Sequence, residues 1–201
     1  MEVVQEVIRS AMASVEADLV SRCREGDDDA WADLYRTHAP TVARFLRRLL
    51  GRGDDLDDLV QEVFVGAFKS MSRFRGDAKL TTWLYGIASH VVGRRLRDDQ
   101  RWRRRQRLLR DEADPTGRVG DVADAAHARA LLSVVADVLD GMDLAHRTVW
   151  VMREVEGMDT DEVAIALEVP AGTVRSRLFH ARKMILDGLA RGGRPGPKEG
   201  T

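Results

Sequence analysis

Leu56 to Phe74, LDDLVQEVFVGAFKSMSRF, restricts the fold more than any other stretch. Leu56, Leu59, Val60, Val63, Phe64, Ala67, Phe68 and Met71 recur at i, i+3, i+4 and i+7 without a break. That series predicts an amphipathic helix whose stripe lies on a core. Asp54, Asp55, Asp57 and Asp58 stand at its front, where carboxylates suit the positive end of the helix dipole. Asp58, Gln61, Glu62 and Val65 fall on the opposite side and are predicted to point outward. On the residues alone, these four make either a solvated face or a docking face.

A chain of 201 residues suits two small domains or one of medium size. Its 44% apolar content can fill real cores, while 32% charged residues and few aromatics favour helices over sheet. The net charge of −1 points to no partner by itself, but local charge is segregated. Arg94 to Arg110, RRLRDDQRWRRRQRLLR, is dense in arginine, whereas Asp54 to Glu62 is acidic. Such segregation suggests one face for a polyanion and another for a basic or mixed protein surface. Cys23 is the only cysteine, which excludes an intramolecular disulfide and a cysteine zinc site. No secretory signal or bilayer-length apolar run is present, so a soluble, cytoplasmic protein with no membrane insertion is expected.

Met1 to Val15 is weakly amphipathic and reads equally as a leader, a small docking helix or a disordered end. Leu19 to Arg52 predicts two helices, the second opened by Pro40 and ended by Gly51-Arg52-Gly53. Trp31 and Tyr35 are expected in the core, and Arg44, Arg47 and Arg48 on a solvated face. After the organising helix, a turn near Gly76 precedes a helix starting at Thr81 or Thr82. Leu84, Ile87, Ala88 and Val91 form its apolar side, and Arg94, Arg95, Arg97 and Arg101 extend it as a basic rod. Trp83 is either a core tryptophan or a stacking platform for bases of a single strand. Arg110 to Gly120, with Pro115 and two glycines, reads as a linker.

Beyond it, Leu131, Leu132, Val135, Val138 and Leu139 mark one helix. Leu144 to Val155 marks a second, with Val149, Met152 and Val155 inward. Thr160 is expected to cap a short helix ending at Leu167, and Glu168 to Gly172 to form a turn. Thr173 then opens TVRSRLFHARKMILDGLA, with Val174, Leu178, Ala181 and Ile185 inward. Two helices across a short glycine-containing turn, the second with a basic outer face, form a helix-turn-helix. Arg175, Ser176, Phe179, Arg182 and Lys183 cluster outward; arginine can read guanine bidentately and the others can hold phosphates or touch thymine methyls. Without further information, a generic hairpin with a solvated basic face fits the same residues.

DDLVQEVFVGAFKSMSRF closely resembles the conserved second region of bacterial RNA polymerase sigma factors, particularly the extracytoplasmic function (ECF) group of the sigma-70 family. FRGDAKLTTWLYGIASHVVGRRLR resembles the promoter-melting segment of that family, and EVPAGTVRSRLFHARKMI its minus-thirty-five reader. The matches cover roughly Leu19 to Arg105 and Leu131 to Leu189 in the family's order, with no room for a third conserved domain between them. The resemblance implies an all-α protein of two small helical domains joined by a flexible linker. Its expected bounds are an extension 1–18, a first domain 19–107, a linker 108–125, a helix-turn-helix domain 126–190 and a tail 191–201.

The resemblance further implies a sigma factor whose partners are core RNA polymerase, through the clamp coiled coil and the flap, promoter DNA and an anti-sigma factor. Asp58, Gln61, Glu62 and Val65 would dock on the polymerase. Arg75 to Thr82 would form a loop that captures a base flipped from the minus-ten element, and an aromatic and basic pocket suits an unstacked base. Arg75, Lys79, Thr82, Trp83, Ser89, His90, Arg94 and Arg95 would face that DNA. Thr173, Arg175, Ser176, Arg177, Phe179, His180, Arg182 and Lys183 would meet the minus-thirty-five duplex. The chain departs from the common pattern at His90, where asparagine is frequent, at His180, where arginine is common, and at the helix-weakening Gly86 and Gly93.

Two other functions compete. A stand-alone helix-turn-helix regulator would leave the Leu56–Phe74 wording and the Thr-Thr-Trp–arginine segment unexplained. An enzyme is suggested only by Asp54-Asp55-Leu56-Asp57-Asp58, which superficially resembles the magnesium-binding aspartates of isoprenoid synthases. No second acidic motif accompanies it, and His38, His90, His127, His146 and His180 show no ligand spacing. No catalytic residue, metal or cofactor is therefore expected.

Overall fold

The computed structural model describes residues 2–50, 56–107 and 124–191, and every regular element among them is helical. The predicted glycine stop at 51–53, most of the linker and the tail after Arg191 lie outside the described residues. The helices are α1 (Glu2–Glu25), α2 (Asp28–Leu50), α3 (Leu56–Ser70), α4 (Leu80–Arg107), α5 (Asp124–Gly141), α6 (Leu144–Trp150), α7 (Thr160–Leu167) and α8 (Ala171–Ala190). A short 3-10 turn, Met71–Arg73, continues α3, and one π-helical turn, Val151–Val155, continues α6. The chain divides into two compact units, Met1–Val92 with Ala164–Glu168, and Gly93–Val163 with Val169–Thr201.

In the first unit, the open question over Met1 to Val15 resolves into one helix running from Glu2 through Glu25. It stops at Gly26, whose φ of 83° is a left-handed conformation that glycine adopts without a Cβ penalty. Asp27 then starts α2: its Oδ1 accepts from the backbone N–H of Asp29 at 2.9 Å and of Ala30 at 3.1 Å. These bonds and the Arg22 guanidinium hold the Asp27 carboxyl below its ordinary range. Pro40 does not open a second helix. It lies inside α2 and is exposed, so water can serve the carbonyl that its missing N–H leaves unbonded.

Leu59, Val60, Val63, Phe64 and Ala67 of α3 are buried, as is Met71 just beyond it. Leu34, Val42, Phe45, Leu46 and Leu49 of α2, which packs on α3, are buried as well, as are Leu80, Leu84, Tyr85 and Ala88 of α4. Each fully buried aliphatic or aromatic side chain of this kind contributes about 1.5–3 kcal/mol through removal from water. The Phe45 and Tyr85 rings stack 4.2 Å apart at 18° and join α2 to α4. Cys23 is buried too, which pushes its thiol above the ordinary range.

The edge of this core differs from the sequence expectation. Tyr35 is 41% exposed, and Trp31 is only half-buried. Phe68, the last aromatic of the predicted stripe, is 63% exposed, with its ring tilted against Trp31 at 5.0 Å. Met71, three residues further along the stripe, is buried, so Phe68 lies at the margin of the covered face and not beyond its end.

In the second unit, Met142, Ala181 and Ile185 form a core against Val135, Val138, Leu139, Trp150 and Leu189. α5 starts at Asp124, inside the span expected for the linker. The cap of α7 is Asp159 rather than Thr160. Asp159 Oδ1 accepts from the N–H groups of Asp161 and Glu162, and Glu162 Oε2 accepts in return from the Asp159 N–H, a reciprocal capping box. Val155, expected inward, is exposed because the π-helical turn rotates the residues that follow Met152. α8 begins at Ala171, so Gly172 is helical and the left-handed residue of the turn is Glu168, with φ of 53°.

Gly188 sits where α8 crosses α5, and a Cβ there would meet Val138 Cγ2 at 2.2 Å. Gly188→Ala should therefore cost about 1–3 kcal/mol through overpacking, read as a lower midpoint in urea unfolding. An unchanged midpoint would show that the two helices separate without strain.

Candidate nucleic-acid interface

α3 presents Asp58, Gln61 and Val65 outward at successive i, i+3 and i+4 steps, with Glu62 half-buried beside them. Val65 is 50% exposed, and the same row continues to Phe68. Acidic and amide groups at the start of the row thus lead into an apolar end formed by Val65, Phe68 and the rim of Trp31. Phe68 was missed as a surface residue because its spacing matches the buried stripe as well as the outward row.

Between the 3-10 turn and α4 lies an exposed loop containing Arg75 and Lys79, with Gly76 at a φ of 80°. Phe74, at the loop's start, is buried and tilted against Trp83 at 5.0 Å. Trp83 is half-buried, between the two readings of the sequence. Arg75, Asp77, Trp83 and His90 line one concave surface of the first unit, together with Ile165 and Ala166 from the end of α7. Thr82 borders the same surface but is only 3% exposed, so its side chain shapes the floor and offers no accessible edge. Ser89 donates its hydroxyl to the Tyr85 carbonyl at 2.7 Å, which leaves it an acceptor for anything outside the helix. His90, Arg94 and Arg95 are exposed farther along α4.

α7, the turn at Glu168 and α8 form the helix-turn-helix segment. Val174, Leu178, Ala181 and Ile185 are buried, as their spacing predicts. Arg175, Ser176, Phe179, His180, Arg182 and Lys183 are exposed, while Thr173 and Arg177 are half-buried. Arg182 is held in place: its Nε and terminal nitrogen donate to Glu154 Oε1 at 3.2 and 2.6 Å. Glu154 lies on the π-helical turn, a tether the sequence did not reveal. The His180 ring stands edge-on to Phe179 at 5.5 Å and to His146 at 6.0 Å. Among the described residues, no cluster of three His, Cys, Asp or Glu side chains is placed to hold a metal ion. No helix there is long and apolar enough to cross a membrane.

Two family models match: sigma-70 region 2 over residues 34–103 and sigma-70 region 4 over residues 134–185. The ECF RNA polymerase sigma-E factor of Haemophilus influenzae is 34% identical over 174 residues, spanning 83% of this chain and 91% of that protein. Its Escherichia coli counterpart is 30% identical over 173 residues, spanning 83% and 90%. Among solved structures, CnrH in complex with the cytosolic domain of CnrY aligns at a TM-score of 0.61 and 25% identity, over 88% of this chain and 97% of that one. The sigma factor RpoE of Bartonella quintana, solved with the anti-sigma factor NepR, shares the fold at a TM-score of 0.57 and 19% identity, over 79% and 96%.

Proposed function

The chain belongs to the sigma-70 family, in its extracytoplasmic function group, and from that premise we propose how its surfaces divide the work. It is a sigma factor: it binds core RNA polymerase and directs promoter-specific initiation, recognising minus-thirty-five duplex and melting the minus-ten element. The observation that carries the division of labour is the order of the two matched regions, each with its own outward row, on α3 and on α8.

The α3 row of Asp58, Gln61, Glu62 and Val65 docks on the clamp coiled coil of the polymerase. The domain 126–190 engages the flap while α8 lies on the upstream duplex. The domain 19–107 captures the downstream strand, with Arg75 and Lys79 on phosphates, a base against Trp83, and Ser89, His90, Arg94 and Arg95 along the strand. A half-buried tryptophan beside exposed cations supports that use, since stacking accepts any base and cations follow the backbone. The protein carries out no covalent chemistry itself, works in the cytoplasm, and is restrained by an anti-sigma factor of the kind seen with its structural relatives.

On α8, Arg175 reads a base edge, with Thr173, Ser176, Arg177, Phe179, His180 and Lys183 on phosphates or neighbouring bases. Arg182, anchored by Glu154, presents a fixed cation to the backbone. Arg175→Ala should therefore remove about 1–3 kcal/mol of discrimination at one base pair. Arg182→Ala should weaken all duplexes alike and reduce the salt dependence of binding. Holoenzyme binding to a panel of upstream duplexes distinguishes the two, and equal sequence preference in Arg175→Ala and wild type would remove the base-reading role.

Run-off transcription with bacterial core polymerase on random promoter-length duplexes tests the whole reading. Initiation that depends on this protein, at sites sharing two spaced motifs, is expected. Absence of stimulation, alongside tight specific duplex binding by the protein alone, would point to a stand-alone regulator instead.

A further inference from the structure

We propose that α1 frames the strand-capture loop, with Glu16 and Arg24 as positioning residues for the minus-ten strand; this rests on the loop reading given under Proposed function. The loop runs from Phe74 to Lys79. It is exposed at Arg75, Gly76, Asp77 and Lys79, and Gly76 gives it a left-handed bend. Both of its ends are held by one helix. At the entry, the Arg24 guanidinium donates to the Met71 carbonyl at 3.5 Å and, more closely, to the Phe74 carbonyl. At the exit, Glu16 Oε1 accepts from the backbone N–H of Leu80 at 2.6 Å.

The two contacts are of the stronger kind. Each pairs a charged side chain with a backbone group, and such bonds are shorter and stronger than neutral ones. Leu80 is the first residue of α4, so its N–H has no partner within the helix, and a carboxylate there also meets the positive end of the helix dipole. His38 of α2, half-buried, is the cationic alternative for Glu16. Burial holds its imidazole toward the neutral form, against a smaller opposite pull from the Glu16 charge. Along α1, Glu16 and Arg24 are separated by just over two turns, about 12 Å. One rigid rod therefore sets the spacing between the ends of the loop.

Neither residue lies in the matched segment 34–103, and neither borders the concave surface around Trp83. Their effect reaches the DNA through loop order. A loop already held in its working shape spends less conformational entropy when it receives a strand, so affinity gained by framing appears in strand capture alone.

The test uses the full chain assembled with core polymerase and a fluorescein-labelled single-stranded oligonucleotide carrying the minus-ten element from the run-off assay. Glu16→Ala and Arg24→Ala should each weaken capture by about 10-fold, with affinity for core polymerase and for the upstream duplex unchanged. Glu16→Gln, which keeps an acceptor oxygen but loses the charge, should weaken capture less than Glu16→Ala, and Asp18→Ala on the same helix should match wild type. Capture by the alanine variants equal to wild type would overturn this inference alone. A loss matched by lost core affinity, or one that Glu16→Gln does not rescue, would mean that α1 merely holds the unit together and would also overturn it. No capture by the wild-type holoenzyme would remove the loop reading and this inference together.

Discussion

Phe45→Ala should cost the first unit about 3–5 kcal/mol, the range for emptying a buried aromatic site. Phe45 has no exposed surface, and its ring stacks on Tyr85 of α4 while its neighbours Val42, Leu46 and Leu49 are equally enclosed. Truncation removes the ring stack between α2 and α4 and leaves a cavity that a packed core closes only in part. Against a total stability of about 5–15 kcal/mol for a small domain, that loss is a large share. The comparison is Phe179→Ala, the same truncation at a site 65% exposed, which should stay within about 0.5 kcal/mol of wild type. Urea unfolding followed by far-UV circular dichroism reads both. Equal midpoints for the two variants would mean that the Phe45 stack is not what holds the first unit.

The stripes of α3 and α8 were legible because each combines a continuous series with a buried partner. Val63, Phe64 and Ala67 in one, and Val174, Leu178 and Ala181 in the other, all reach the core. Periodicity gives the direction of a side chain but not the width of the face that its neighbours cover. Phe68 and Tyr35 stand beside the buried Ala67 and Leu34 and remain substantially exposed. Local geometry escaped the sequence for similar reasons. Pro40 inside a helix is disfavoured on average, and only its exposure makes the lost bond inexpensive. Val155 is turned outward by a π-helical turn that no spacing rule anticipates.

The candidate site was legible as residue types, less so as states. The basic row of α8 and the loop after Arg75 are identified by wording and charge. The bond of Ser89 back to the Tyr85 carbonyl is local to α4, and that carbonyl is one of several partners open to a serine within a helix. That Thr82 is enclosed and that Arg182 is tied to Glu154 are tertiary facts, which depend on how helices end and cross. The same holds for Glu16 and Arg24, which meet backbone groups 64 and 50 residues further along the chain.

Phe68→Ala should weaken binding to core polymerase by about 30-fold or more, and Phe68→Ala combined with Gln61→Ala should abolish detectable run-off transcription. The size follows from how interfaces distribute energy: truncating a central aromatic anchor typically costs about 2 kcal/mol or more, while rim charges contribute little. On α3 the row runs from Asp58, which is exposed and well solvated, to Val65 and Phe68, whose apolar surface gains most from leaving water. Asp58→Ala should accordingly change affinity by only a few-fold, mostly through a slower and salt-sensitive approach. Phe68 is already outside the core, in contact with Trp31 but 63% exposed, so its truncation leaves the fold largely intact and the binding loss can be assigned to the interface. Titration of labelled protein with core polymerase, with urea unfolding as the control for folding, measures the order. If Asp58→Ala proved more damaging than Phe68→Ala, docking would be governed by the acidic start of α3, and the apolar end of the row would be free for another partner.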